Sequence, residues 1–162
     1  MKKKQANNVS EIKLTYSRHV RASERPKITC SHDAYNLFKQ NWDDMTINLF
    51  EEFKVMILDR NNGCIGICDI SKGGVSGTVV DAKLVFVTAL KARGCAIILA
   101  HNHPSGNLKA SSADQTLTNK LVNGGKFLDI PILVDKPGKL THLRRMKLTM
   151  ANGLPRFDLS LG

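Results

Sequence analysis

The chain has 162 residues, which is the length of one domain with flanking segments, and 42% of them are hydrophobic, enough for a buried core. No apolar stretch approaches the roughly 18 residues of a membrane span, and the basic start is not followed by the apolar segment of a secretory signal. We therefore expect a cytoplasmic protein with no membrane partner.

The net charge of +10 is concentrated at the two ends of the chain. Residues 1–27 hold eight Lys or Arg against two Glu, residues 134–162 hold six against two Asp, and the segment between them holds ten of each sign. Basic ends can bind nucleic acid weakly and without sequence specificity, although such charges are more often only solvated. This distribution predicts a basic lead (1–27), a central domain (28–133) and a basic tail (134–162).

The central domain begins with a predicted helix over residues 31–42, capped by Ser31. Three aromatic residues fall at helical spacing and are expected to pack in the core: Tyr35, Phe38 and Trp42. Further on, apolar runs over 53–58 and 64–70 flank the turn Arg60-Asn61-Asn62-Gly63, and Asn-Gly is a strong hairpin signal. We therefore predict a pair of antiparallel strands.

The four cysteines, at positions 30, 64, 68 and 95, form no Cys-x-x-Cys pair. We expect reduced, mostly buried thiols rather than a second metal site. Cys64 and Cys68 stand four residues apart in the second strand, which predicts that they share one face, about 13 Å apart.

A glycine-rich segment over 72–77 follows the hairpin and predicts an irregular loop, either a plain connection or a place where backbone approaches a substrate. It lacks the Gly-Lys-Ser/Thr ending of a phosphate-binding loop. Next, Asp81 can cap a helix over 82–93 that Gly94 ends. The apolar run over 95–100 then predicts a buried strand.

The residues directly after this strand form the most informative pattern, His101-Asn102-His103-Pro104-Ser105-Gly106 followed by Ser111 and Asp114. Side chains alternate across a strand, so His101 and His103 point to one face if the extended backbone persists. Ser111 opens a predicted helix whose first turn carries Asp114. Two imidazole nitrogens and one carboxylate suit Zn²⁺ and leave a fourth position for water, as in catalytic zinc sites.

Each part of the pattern also has a purely structural interpretation. A His-x-His pair at a strand end is more often a surface pair than a metal site. Ser111 with Asp114 resembles a capping box whose carboxylate complements the helix dipole, a role worth about 0.5 to 2 kcal/mol without any metal. The combination of all these residues at set spacings favours the metal site.

The segment from His101 to Asp114 resembles the signature of the JAMM/MPN+ metalloprotease superfamily, and His-Asn-His-Pro-Ser-Gly is similar to its bacterial RadC branch. Similarity extends over 51–60, 70–78 and 117–121 and covers roughly residues 28–132. The resemblance implies an α/β fold, the MPN (JAB) domain, with a deaminase-like mixed β-sheet flanked by helices. It also implies that His101, His103 and Asp114 bind Zn²⁺ and that Ser111 assists the attacking water or the developing oxyanion.

The resemblance implies that the general base is a glutamate on an early strand, and the sequence offers two neighbours there, Glu51 and Glu52. RadC-like sequences tend to show Glu-x-Phe, which selects Glu51, whereas the wider superfamily spacing, counted back from Asp59, selects Glu52. Adjacent strand residues face opposite sides, so only one of them can face the site. Both therefore stay candidates.

The resemblance implies a zinc metallopeptidase that cleaves a peptide or isopeptide amide with a metal-activated water, acting on a peptide or protein substrate and needing no other cofactor. The alternative is a non-catalytic adaptor domain, of the kind associated with DNA repair, that holds a structural zinc and contacts DNA through its basic ends. Hydrolysis that is lost on chelation and restored by Zn²⁺ would favour the enzyme.

Two departures from the RadC pattern concern the ends of the chain. The residues before the domain are too few for the helix-hairpin-helix module that RadC proteins often carry, so a short form is expected. After about residue 134 the sequence diverges from the family's last strand. We therefore expect that strand to be missing and the sheet to have an unprotected edge.

Two further elements complete the predicted domain. The helix that Ser111 opens is expected over 112–122 and to close at Gly124-Gly125, and a further strand is expected over 127–133, bordered by Pro131.

Overall fold

A computed structural model describes residues 20–74, 79–104 and 111–133, together with the backbone of 146–148. Parts of the sequence predictions lie outside the described residues. These parts are most of the basic lead, positions 75–77 of the glycine-rich segment, the Ser-Gly pair of the motif at 105–106 and most of the basic tail.

The described residues form an α/β domain. Its helices are α1 (Ser31–Gln40), α2 (Ala82–Lys91) and α3 (Ser112–Phe127), and its strands are β1 (Glu52–Leu58), β2 (Cys64–Lys72), β3 (Ala96–Asn102) and β4 (Met146–Leu148). The strand order is β2-β1-β3-β4, and all neighbours are antiparallel. Among the described residues, the parallel contact is an isolated bridge between Ile97 and Ile132, which lies outside the four strands.

The sheet lies between two layers of helices because residues 55–58 of β1 and 96–100 of β3 are apolar on both faces. One face packs on α1 through Met56, Leu58 and Ile98, which contact Tyr35 and Phe38 in one buried cluster. The opposite face carries a second cluster, shared with α2 and α3: Phe53, Val55, Ile57, Ile97, Leu99, Val85, Ala89 and Leu121. Continuous apolar strands of this kind are typical of sheets covered on both sides.

The first helix confirms the predicted core but not the predicted cap. Tyr35, Phe38 and Trp42 are buried, although the helix ends at Gln40. The helix begins after Cys30, and the Asp33 carboxylate accepts hydrogen bonds from the backbone N–H groups of Thr29 and Cys30 at 2.9 and 3.2 Å. The prediction that Ser31 caps the helix was wrong, because Ser31 is the first residue inside the helix and Cys30 occupies the N-cap position.

The second helix begins where predicted, and its end differs in detail. Asp81 accepts a hydrogen bond from the Lys83 backbone N–H at 2.9 Å. The residue with the left-handed backbone is Arg93, with φ of 56°, rather than Gly94. Gly94 is required for another reason, since a Cβ there would overlap the Ile57 side chain of β1.

The third helix is longer than the sequence predicts and runs through Gly124 and Gly125 to Phe127. A Cβ on Gly124 would lie 2.7 Å from the Phe86 ring, and one on Gly125 would lie 2.5 Å from the Ile130 carbonyl oxygen. These glycines therefore serve close packing rather than helix termination.

The predicted strand over 127–133 was wrong except for a short contact. Phe127 belongs to α3, and only the bridge at Ile132 joins the sheet, with the Leu133 N–H donating to the Ile97 carbonyl at 2.8 Å. The predicted open edge also needs correction. Residues 146–148 pair with Ala100–Asn102 and cover this end of β3.

The hairpin was predicted correctly, but the faces of its cysteines were not. The β1–β2 register skips one residue of β2 near Ile65 and one near Ile70, so β2 contains two irregularities. As a result, Cys64 joins the core on the α1 side while Cys68 packs on the α2 side. All four cysteines are free, and only Cys64 is buried. Burial raises the pKa of the Cys64 thiol to about 11.

Among the described residues, no helix combines the length and the apolar character that crossing a membrane requires.

Candidate metal centre

The two histidines of the motif meet at the end of β3. His101 is the penultimate residue of the strand, is only 3% exposed and stacks on Phe53, with ring centroids 6.2 Å apart and an interplanar angle of 14°. His103 lies just past the strand, and its ring centroid is 4.5 Å from that of His101. The extended backbone therefore persists far enough to bring both imidazoles to one face.

Glu51 lies beside the histidines because the sheet continues one residue beyond β1. Its backbone N–H donates to the Gly74 carbonyl at 3.3 Å, and its carbonyl accepts from the Gly73 N–H at 2.7 Å. The β1–β3 register pairs Phe53 with His101, and continuing it by two residues sets Glu51 opposite His103. A Glu51 carboxylate oxygen and one nitrogen from each histidine all lie within 4.8 Å of one another.

Glu52 faces the other side of the sheet. Its buried carboxylate lies 3.4 Å from the Lys54 ammonium and 3.1 Å from that of Lys72. The Thr46 hydroxyl is 3.4 Å from the same carboxylate. Of the two glutamates that the sequence leaves open, the structure thus brings Glu51 to the histidines and keeps Glu52 in a separate ion-paired cluster.

Asp114 approaches the histidines from the first turn of α3. Its Oδ1 lies 3.7 Å from the Nε2 of His101. Its Oδ2 accepts a hydrogen bond from the Ser111 backbone N–H at 2.8 Å, while the Asp114 N–H donates to the Ser111 hydroxyl at 3.1 Å. This is a complete capping box. The structural and metal-binding interpretations are compatible, because they use different oxygens of one carboxylate.

The environment shifts the pKa values of the two acids in opposite directions. Burial raises the pKa of Glu51, attraction to His103 partly offsets this rise, and repulsion by Asp114 adds to it. Burial also acts to raise the pKa of Asp114, but hydrogen bonds from Ser111 and attraction to His101 and His103 outweigh it, so its pKa is lowered. The arrangement thus pairs an ionised carboxylate with one that accepts a proton more readily.

The residues present fit a zinc ion. The Nε2 of His103 is buried and has no hydrogen-bond partner among the described residues. A buried nitrogen without a partner is costly, and coordination of a metal ion would satisfy it. Two imidazoles and a carboxylate are a typical donor set for catalytic zinc. The ligands would be His101, His103 and Asp114, with Glu51 next to them.

Asn102 is the residue of this region that the sequence analysis missed. It stands between the histidines, is fully buried, and its side chain binds the segment before β1 on the face opposite to His101. Strand alternation alone could have drawn attention to it, because it places a polar side chain on the same face as Ile98 and Ala100, which belong to the core.

Comparison with known proteins agrees with this architecture. The family model of the RadC-like JAB domain matches residues 28–135. Similar curated proteins include one from Flavobacterium johnsoniae, 41% identical over 107 residues, and one from Salinibacter ruber, 36% identical over 109 residues. These alignments cover 66% and 67% of this chain but only 45% and 46% of the relatives.

A third relative, from Syntrophomonas wolfei, is 43% identical over 83 residues, which are 51% of this chain and 35% of that protein. All three are named UPF0758 proteins, a name that states no reaction or ligand. The chain thus spans less than half the length of these relatives. Since the family model matches about two thirds of it and the sheet, helices and histidine cluster agree with that match, the chain belongs to the RadC-like JAB domain family.

Proposed function

We propose that this domain is a zinc-dependent hydrolase that cleaves a peptide or isopeptide amide bond. The observation that carries the proposal is the convergence of four side chains from three separate elements. One carboxylate oxygen of Glu51 and one ring nitrogen of each histidine lie within 4.8 Å of one another, and Asp114 Oδ1 is 3.7 Å from His101 Nε2. With His101, His103 and Asp114 as its three ligands, the site would match a catalytic zinc site with an open fourth position, whereas structural sites almost always have four protein ligands, mostly Cys and His.

In this proposal His101, His103 and Asp114 hold the metal. Zn²⁺, when bound, would polarise the amide carbonyl and lower the pKa of a water molecule toward about 7. The stacking of His101 on Phe53 and the bond from Ser111 to Asp114 Oδ2 fix the orientation of two of the ligands.

Glu51 is the general base in this proposal. Its raised pKa suits a group that takes a proton from the attacking water and returns it to the leaving nitrogen of the amide. The Ser111 hydroxyl accepts a hydrogen bond from the Asp114 N–H and keeps its own hydrogen, which it can donate to the developing oxyanion.

The first test compares the two neighbouring glutamates. Zinc-loaded wild-type protein, Glu51→Gln and Glu52→Gln would be incubated with an internally quenched peptide library and with an isopeptide-linked peptide pair. Loss of the base should reduce cleavage by roughly 100-fold or more in Glu51→Gln, with zinc still bound at one equivalent. Glu52→Gln is the matched control, because it makes the same chemical change one residue away on the other face.

Three outcomes would contradict the proposal. A folded wild-type protein that binds no Zn²⁺ would remove the metal centre. Cleavage that survives chelation would remove the metal's role. Equal cleavage by Glu51→Gln and wild type would remove Glu51 as the base.

A further inference from the structure

We infer that Asn102 is a positioning residue that holds Glu51 beside the two histidines. The importance of Asn102 for catalysis rests on the proposed function, whereas its effect on the position of Glu51 does not depend on hydrolysis. Asn102 lies on one face of β3 and influences a side chain on the other face.

The Asn102 side chain makes three hydrogen bonds to one short segment of the chain. Its Oδ1 accepts from the Glu52 backbone N–H at 2.7 Å, and its Nδ2 donates to the carbonyls of Ile47 and Phe50 at 2.6 and 2.8 Å. The side chain is 0% exposed. Asn102 therefore ties both ends of residues 47–52 to the last residue of β3.

This tie compensates for a weak point in the sheet. The backbone pairing of β1 with β3 ends at Phe53 and His101, and Glu51 lies beyond it. On its other side, the backbone hydrogen bonds of Glu51 to described residues are the two to Gly73 and Gly74. The segment before it is exposed, since Met45 and Leu49 are 81% and 56% exposed. The Asn102 bonds therefore fix the backbone directly next to Glu51 from the β3 side.

The alternation of side chains explains why the tie does not occupy the site. His101 and His103 face the site, and Asn102, between them, faces the core on the α1 side. Residues 101–103 thus present the two histidines on one face of the sheet, while Asn102 fixes the backbone next to Glu51 from the opposite face. Because these hydrogen bonds are buried or part-buried, losing them removes the partner of three backbone groups that water reaches poorly.

The first arm of the test measures backbone exchange in metal-free protein, so that no catalytic assumption enters. In Asn102→Ala, amide hydrogen exchange at Glu52 should be roughly 10-fold or more faster than in wild type, relative to the Val55 amide in the same strand. Ile98→Ala is the matched control, because it truncates a buried side chain on the same face of β3 that makes none of these bonds. Equal acceleration at Glu52 in both variants would overturn the inference.

The second arm measures coupling between Asn102 and Glu51 through Zn²⁺ affinity, by competition with a chelator. A carboxylate so close to the ligand atoms attracts the cation, so Glu51→Gln should weaken Zn²⁺ binding, by roughly 5-fold. When Asn102→Ala is already present, adding Glu51→Gln should change the logarithm of the Zn²⁺ dissociation constant by less than half as much as it does in wild type. When Ile98→Ala is present instead, Glu51→Gln should have its full effect. Full additivity with Asn102→Ala would overturn the inference.

The two arms separate failure of the inference from failure of the proposed function. If the wild-type protein binds no Zn²⁺, the proposed function fails, and the exchange arm alone decides the role of Asn102. If Asn102→Ala does not fold, Asn102→Asp replaces it. This variant keeps the oxygen that faces Glu52 but turns an oxygen toward the carbonyls of Ile47 and Phe50, so exchange should rise at Leu49 and Phe50, and unchanged exchange there would count against the inference.

Discussion

Lys54 shows how this fold accommodates charge inside its core. The side chain is buried, with its ammonium 3.4 Å from Glu52, in an ion pair with Asp69 and 4.9 Å from the centre of the Trp42 ring. Removing one partner from a buried ion pair leaves an uncompensated charge, which costs more than the pair contributes. The second lysine on Glu52, Lys72, is 52% exposed and is expected to contribute little.

We therefore predict that Lys54→Ala lowers the free energy of unfolding by about 3 kcal/mol, measured by urea denaturation. Lys72→Ala is the control on the same carboxylate and should cost about 1 kcal/mol or less. The double variant Lys54→Met with Glu52→Gln should recover at least half of the loss, because it removes both charges and keeps the volume. Equal costs for the two alanine variants would show that burial does not govern this cluster.

Helix α3 illustrates a conflict between propensity and packing at the scale of an element. Glycine inside a helix costs roughly 1 kcal/mol relative to alanine, yet Gly124 and Gly125 both lie within α3. Their missing side chains let α3 approach Phe86 of α2 and the Ile130 carbonyl of the following turn. The close approach of these elements outweighs the propensity.

Alanine substitution should separate the two glycines. Gly125→Ala is expected to destabilise the protein by about 2 kcal/mol, because its Cβ would meet a backbone oxygen that cannot move away. Gly124→Ala should cost about 1 kcal/mol or less, since the Phe86 ring can shift. Asn123→Ala, at an exposed position of the same helix, is the control and should change stability by about 0.5 kcal/mol or less. Thermal unfolding followed by circular dichroism measures all three, and stabilisation by Gly125→Ala would contradict the packing argument.

At the scale of the whole molecule, the candidate metal centre joins parts of the chain that are far apart in sequence. Glu51 precedes β1, the histidines end β3, and Asp114 begins α3. An ion that binds these groups only when they are assembled stabilises the folded state, by about 2.7 kcal/mol when its concentration is 100 times its dissociation constant.

Zn²⁺ should therefore raise the melting temperature, by roughly 5 to 10 °C for a domain of this size, and chelation should reverse the shift. Differential scanning calorimetry of the metal-free and zinc-loaded protein measures it. His103→Ala should abolish the shift, whereas His32→Ala, which changes an exposed histidine on α1, should leave it intact. A shift that persists in His103→Ala would mean that the metal binds elsewhere.

The sequence by itself determined the features that depend on neighbours along the chain. The hairpin follows from its Asn-Gly turn, the start of α2 from Asp81, and the common face of His101 and His103 from strand alternation. The capping box joins Ser111 and Asp114, which are only three positions apart. Each of these features is set by local backbone geometry, which a spacing of a few residues encodes.

Only the tertiary structure decided which glutamate lies beside the histidines, which faces carry Cys64 and Cys68, and how far α3 continues. The first depends on the register between β1 and β3, where partners are about fifty residues apart, and the second on irregular pairing within the hairpin. The third depends on α3 packing against Phe86 and the turn at Ile130. Pairing register and close packing arise from contacts between distant segments, and the spacing of residues along one segment carries no information about them.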